Sequence, residues 1–329
     1  MPWIIFIVSA AVITVAAMQL AKYGDVIAVR TRLGGMFIGL ILLAGVTSLP
    51  ELLTSINSIQ HNQPNLAAGN LLGSCMFNMF LLAVLDLVHH KRRILRKAAL
   101  KHALSGSLAI FLIGLVVFFN LANINLKIGW VGVDSLIVIA AYVVGIRLLQ
   151  KNANLSDAPL TEDDIPEDTP SLRRGLLGFG LATAVLVLVT PYMVKSSSDI
   201  AEITGLGATF IGSTLVAVVT SLPELVTTLA AARISADDMA IGNLFGSNMF
   251  NMFALGITDL FDLQGRFLAA IDPAFLVVGM LGLLMTGMGL IGNLARIRRR
   301  FFIVELDSMA LIVMYAAGLW LLYLRGIAP

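Results

Sequence analysis

A single cysteine in 329 residues, Cys75, excludes an intramolecular disulfide. Charge is also scarce. Asp, Glu, Lys and Arg together make up 13% of the chain, about half the share of a soluble domain. The alternating segments of about ten residues that mark a membrane β-barrel are missing, and so is any Cys/His set for a soft or borderline metal. The first apolar segment has no basic region before it and no small-residue cleavage pattern. Met1-Pro2 leads directly into Trp3-Ile4-Ile5, so this segment is expected to stay as a span and not to be removed as a signal.

Hydrophobic residues make up 58% of the chain. They fall in runs of about 20 or more, the length that crosses a bilayer as a helix. The pattern predicts an all-α membrane protein with ten transmembrane helices, at 4–22, 34–60, 64–88, 99–120, 128–149, 174–195, 205–233, 237–261, 272–293 and 302–324. Lys and Arg set the orientation. One side would carry 18 of the 22, including Arg30, the Lys91-Arg92-Arg93 cluster, Arg147, Arg174, Arg233 and Arg298. The other would carry Lys127, Lys195, Arg266 and Arg325. The basic side is expected to be cytoplasmic and both termini outside. Basic clusters beside spans read as topogenic, so no nucleic-acid partner is expected.

The chain is written twice. Residues 34–87 align without gaps on 207–260 at a constant offset of 173, with 28 identities in 54 positions. Thr47-Ser48-Leu49-Pro50-Glu51 matches Thr220-Ser221-Leu222-Pro223-Glu224. Gly69-Asn70-Leu71-Leu72-Gly73-Ser74-Cys75-Met76-Phe77-Asn78 matches Gly242-Asn243-Leu244-Phe245-Gly246-Ser247-Asn248-Met249-Phe250-Asn251. Ten spans then divide into 1–149 and 174–329, joined by an acidic cytoplasmic linker at 150–173. Five spans per half is an odd number, so the second half enters the membrane inverted. This 5+5 inverted-topology repeat is the plan of many secondary transporters, with the site near the midplane. The linker lacks the spacing of a calcium loop and reads as a solvated connection.

Glu51 and Glu224 are the chemical anomaly. Each stands alone among apolar residues in mid-span, where a carboxylate needs a partner, a proton or a cation. Pro50 and Pro223 withdraw a helical hydrogen bond from Val46 and Val219, and freed carbonyls at that depth need partners too. Thr47 and Thr220, four residues earlier, are expected to share a face with the glutamates. Asn70, Ser74 and Asn78, and again Asn243, Ser247 and Asn251, form polar stripes. Gly69, Gly73, Gly242 and Gly246 allow close helix approach. Hard oxygen donors in this number suit calcium or sodium. Two carboxylates match one Ca²⁺ or two monovalent cations. A bare pair would be costly to carry through a low-dielectric state, so one cation should leave only as another arrives. Protons could play the counter-ion by neutralising the same pair.

The doubled Thr-Ser-Leu-Pro-Glu and Gly-Asn-x-x-Gly-Ser blocks resemble the α-repeats of the cation/calcium exchanger superfamily, closest to the prokaryotic sodium/calcium exchangers with two α-repeats. Gly34, Gly39, Gly207 and Gly212 extend the match. The resemblance implies sodium/calcium antiport by alternating access in a prokaryotic plasma membrane, with calcium and sodium as substrates, no cofactor and no obligate protein partner. It implies Glu51, Glu224, Thr47 and Thr220 as calcium ligands, with Ser48 and Ser221 beside them. Ser74 and Ser247 would line sodium positions, with Asn78 and Asn251 in the same ion site, and Ala44 and Ala217 would offer backbone carbonyls. It also implies that the first and sixth spans slide across the other eight. At Asn78 and Asn251 the chain departs from the several relatives that carry an acidic residue. Potassium-cotransporting relatives typically have Asp in this region, and proton/calcium exchangers usually have a Glu after the Gly-Asn block.

Other signals are weaker. His89 and His90 read as surface residues. Asp25 and Asp199 read as interfacial, Asp86 and Asp259 as structural and Cys75 as packing. An intramembrane enzyme using the Glu pair as acid and base would need a nucleophile or a metal set, and neither accompanies it, so no enzyme activity is expected. A passive channel would conduct without a counter-ion.

Overall fold

A computed structural model describes residues 1–31, 43–88, 102–153, 169–233, 237–263, 265–272, 275–295, 300–301 and 304–327. The helices are α1 (Pro2–Arg30), α2 (Ala44–Thr47), α3 (Leu49–Gln60), α4 (Pro64–Val88), α5 (Ala103–Ala122), α6 (Val133–Ala153), α7 (Leu172–Thr204), α8 (Ala208–Ile211), α9 (Ala217–Thr220), α10 (Leu222–Arg233), α11 (Asp237–Asp259), α12 (Phe267–Ala270), α13 (Phe275–Ala295) and α14 (Leu306–Ile327). A π-helical turn, Gly212–Val216, joins α8 to α9. Two-residue strands pair antiparallel as β1 (Lys127–Ile128) with β2 (Val131–Gly132), and β3 (Arg300–Phe301) with β4 (Val304–Glu305). His89, His90 and the basic cluster 91–93 lie outside the described residues, as do Gly34, Gly39 and most of the linker.

Among the described residues, seven helices are long and apolar enough to cross a membrane, or eight if the pair bent by 42° at Ser221 counts as one. The protein is therefore an integral multi-pass membrane protein. The count falls below ten for identifiable reasons. The expected span 34–60 begins outside the described residues, and its α3 is short. The polar stripe of α11 lowers its apolarity, yet nearly all of that helix is buried among its neighbours.

The expected ends 4–22 and 174–195 differ from the observed helices. α1 continues to Arg30, and α7 runs from Leu172 to Thr204. At 1.5 Å per residue they reach about 43 and 50 Å, beyond the roughly 30 Å hydrocarbon layer. Loss of apolarity at Lys22 and Lys195 ends a hydrophobic run, but it does not end a helix whose backbone bonds continue. α1 and α7 pack along each other. Their own small core takes in Phe6, Ile13, Leu20, Leu186 and Met193, and borrows Val46, Val216 and Val219 from the broken segments and Leu66 from α4. Asp25 is exposed and Asp199 half-buried on these two helices. A larger core joins α4, α5, α6, α11, α13 and α14. α4 is the most enclosed of the long apolar helices, 78% buried, and packs against α3, α11, α13, α14 and the π turn.

The repeat also reaches past its most similar segment. Asp134 and Asp307, again 173 apart, each accept the N–H of the following serine at 3.0 Å. Asp86 accepts from Ser308 Oγ at 2.7 Å. Its counterpart Asp259 accepts the N–H of Gly132 at 2.7 Å and of Phe267 at 2.5 Å. The structural reading of both aspartates holds. Arg266 is a buried partner of Asp134 at 2.6 Å, not a free surface charge. Arg266→Met would leave Asp134 buried without its counter-ion. The expected loss is about 3–5 kcal/mol, readable as a lower melting temperature of the detergent-solubilised protein. An unchanged melting curve would show that the pair does not hold this end together.

Candidate cation-binding site

Ser48 and Ser221 break their helices in the same way, both at φ −89° and ψ 7°. Pro50 and Pro223 each stand second in the helix that restarts there. The first turn of a helix has no use for the missing N–H, so the prolines favour a restart over a continuous kinked helix. Glu51 and Glu224 thereby sit in the first turns of α3 and α10. Helix N-termini favour negative charge.

The breaks bring the two repeats together, and the side-chain pairings cross between them. Ser48 Oγ donates to Glu224 Oε1 at 2.7 Å, and Ser221 Oγ donates to Glu51 Oε1 at 2.8 Å. Thr220 Oγ1 donates to Asn70 Oδ1 at 2.9 Å, and Thr47 Oγ1 reaches Asn243 Oδ1 at 3.5 Å. Sequence periodicity expects Thr47 to converge with Glu51 on one helix face. The interruption at Ser48 spoils that geometry, and Thr47 turns to Asn243 and to the carbonyl of Ala44, at 3.2 Å.

The remaining sequence-selected residues lie in the same cluster. Ser247 Oγ donates to Glu224 Oε1 at 3.4 Å. Ser74 Oγ reaches the carbonyl of Ala217 at 3.4 Å. The carbonyls of Ala44 and Ala217 also accept from Ser48 N and Ser221 N. Asn78 Nδ2 donates to Asn248 Oδ1 at 3.0 Å, and Asn251 Nδ2 to Cys75 Sγ at 3.9 Å. Glu51, Glu224, Asn78 and Asn251 are all 0% exposed.

Among the described residues, Glu51 Oε2, Glu224 Oε2, Asn78 Oδ1 and Asn251 Oδ1 receive no hydrogen bond. These buried acceptors come as two matched pairs from the two repeats. Burying such oxygens without a donor is costly, whereas hard cations are bound by oxygens of this kind. The donor set fits calcium or sodium.

Asn70 and Asn243 matter more than their place in a stripe indicates. Asn70 Nδ2 donates at 3.0 Å both to the carbonyl of Glu51 and to Ser55 Oγ. Asn243 Nδ2 donates to Thr227 Oγ1 and Thr228 Oγ1 at 3.1 and 3.2 Å. Their identity in both repeats marks them. Asn248 and Thr286, which adjoin the cluster, carry no such mark: Asn248 matches Cys75, and Thr286 lies outside the repeated segments. A separate carboxylate group, Asp86, Glu305 and Asp307, is gathered where Asp86 meets the start of α14.

The profile of the family described as sodium/calcium exchanger protein matches residues 1–149 and 174–324. CaxA of Alkalimonas amylolytica, a proposed antiporter, is 28% identical over 311 residues, covering 90% of this chain and 92% of CaxA. The sodium/calcium exchanger MaX1 of Methanosarcina acetivorans is 49% identical over 82 residues, 25% of this chain and 23% of MaX1. A solved structure of the sodium-calcium exchanger NCX_Mj shares the fold with a TM-score of 0.60 at 22% identity, covering 97% of this chain and 98% of that one.

Proposed function

Because this chain belongs to the sodium/calcium exchanger protein family, we propose that it exchanges calcium for sodium across a prokaryotic plasma membrane through the cluster around Glu51 and Glu224. The observation that carries this reading is the four matched acceptor oxygens of Glu51, Glu224, Asn78 and Asn251, buried without donors among the described residues. Thr47, Thr220, Ser48, Ser221, Ser74 and Ser247 surround them, and the carbonyls of Ala44 and Ala217 lie beside the breaks. Glu51 and Glu224 supply a charge of −2, which one Ca²⁺ or two Na⁺ neutralises. The neutral loaded states cross the low-dielectric barrier, and the bare dianion does not. That difference couples the two ions.

The architecture that serves this exchange is a ten-span 5+5 inverted repeat, with halves 1–149 and 174–329 and both termini outside. Its support is the offset of 173, which relates Asp86 to Asp259 and Asp134 to Asp307 as well as the two glutamates. α1 and α7 share a core distinct from the larger one, in keeping with a pair that moves against the rest as access alternates.

The deciding measurement is calcium uptake into proteoliposomes under imposed gradients. An outward sodium gradient is expected to drive uptake. Uptake driven by a proton gradient alone would replace sodium with protons as the counter-ion. Charge counting also fixes the effect of Asn251→Asp. A third carboxylate calls for a third monovalent cation, so the sodium dependence should steepen from about two toward about three cooperating ions. An unchanged sodium titration would remove Asn251 from the site.

A further inference from the structure

Asn78 and Asn251 each carry an oxygen and an NH₂ group of similar shape, and only the oxygen can face a cation. We infer that Asn248 and Cys75 form a polarity clamp, related by the repeat, that turns the amide oxygens of Asn78 and Asn251 toward the cation. The inference rests on the cation-site reading of the cluster and adds to it two positioning residues that are not themselves ligands.

Carbonyl oxygens only accept, and they fix the direction of every bond in the clamp. Thr286 Oγ1 donates to the carbonyl of Gly282 at 2.7 Å, so its lone pairs are left to accept. Asn248 Nδ2 donates to that hydroxyl at 3.2 Å and to the carbonyl of Cys75 at 3.3 Å. Both partners require the NH₂ group of Asn248. Its Oδ1 therefore faces Asn78 and accepts from Asn78 Nδ2 at 3.0 Å. With its nitrogen taken, Asn78 presents Oδ1 on its other side, where none of the described residues donates to it.

The same logic runs through the thiol. Cys75 Sγ donates to the carbonyl of Asn248 at 3.9 Å, which leaves the sulfur to accept from Asn251 Nδ2 at 3.9 Å. Asn251 Oδ1 is again the end that receives no hydrogen bond among the described residues. Positions 75 and 248 are 173 apart. Each touches the other's backbone carbonyl, and each orients the asparagine of the opposite repeat. The two arms differ in strength. An amide oxygen is a good acceptor and a thiol a weak one, so Asn78 is held more firmly than Asn251.

Calcium binding to the purified protein by calorimetry, alongside uptake in vesicles, tests the clamp. Asn248→Val keeps a side chain but no polarity. It is expected to weaken calcium binding about 10–100-fold, the usual effect of losing a residue that orients a ligand, and to raise the calcium concentration needed for half-maximal uptake by a similar factor. Asn248→Asp is isosteric, keeps the oxygen that accepts from Asn78 Nδ2, and should recover most of the affinity. Cys75→Ala should cost less than Asn248→Val, because a thiol is the weaker acceptor, with Cys75→Ser restoring the affinity. The cysteine pair decides the matter if Asn248→Val does not fold.

Unchanged calcium affinity in Asn248→Val would overturn the clamp. Equal losses in the Val and Asp variants would also overturn it, because volume and not polarity would then be at issue. Both outcomes are read against an unsubstituted protein that exchanges calcium for sodium. If that protein binds no calcium, the cation-site reading itself fails, and the clamp with it.

Discussion

Glu51→Gln and Glu224→Gln are each expected to stop calcium-for-sodium exchange in proteoliposomes while leaving the protein folded. Gln keeps the shape and still accepts from Ser221 or Ser48, which now donate to the carboxylates at 2.8 and 2.7 Å. What disappears is one full charge and one acceptor. The free Oε2 is replaced by an NH₂ group, which is turned toward the cation. Calcium contacts its oxygens at about 2.3–2.6 Å, and a charge lost at that range in a dry site should weaken binding by about 100-fold or more. Stability should move the other way. Two like charges buried together oppose folding, so in calcium-free buffer either variant should melt at the same temperature as the original protein or above it. The added stabilisation by calcium should vanish. Substantial exchange in either variant would sink the shared-site model.

Gly73→Val is expected to abolish exchange by a different route. A Cβ at Gly73 would lie 2.6 Å from Ser213 Cα and 2.7 Å from the Ser213 carbonyl. At Gly69 it would lie 2.9 Å from Ser213 N. The obstructing atoms are backbone, so no side chain can move aside. α4 would have to withdraw from the π turn by about 1 Å, and packing of small residues is what holds such helices together in a membrane. Ser74, the next residue, meets the carbonyl of Ala217 across this contact at 3.4 Å. A shift of that size in a positioned site is worth about 100-fold in function, and the lost packing should also lower the melting temperature. Gly180, whose added Cβ meets nothing within 4 Å among the described residues, is the control. Gly180→Ala should exchange normally. Normal exchange in Gly73→Val would mean that the two halves are not wedged together at this point.

The two carboxylates, the prolines beside them and the doubled Gly-Asn blocks were legible because identity at a fixed offset needs no geometry. Hydrophobic runs likewise located most of the helices. The ends of α1 and α7 were not legible, since Lys22 and Lys195 end a run of apolar residues without ending the helix. Asn248 was hidden for the opposite reason. The repeat places Cys75 opposite it, so comparing the halves hides a residue whose importance lies in its difference.

By itself, the sequence determined that this is a multi-pass membrane protein with the same carboxylate-bearing motif in both halves. Composition and repetition are properties of the chain that folding does not alter. Only the tertiary structure decided which partner each group takes. Helical spacing pairs Thr47 with Glu51, but the backbone breaks at Ser48 and Ser221 turn these side chains across to the other repeat, so that Ser48 holds Glu224 and Ser221 holds Glu51. Which end of Asn78 faces the site was likewise decided by the fixed carbonyls of Cys75 and Gly282, acting through Asn248. Hydrogen-bond direction belongs to the assembled network and not to any one residue.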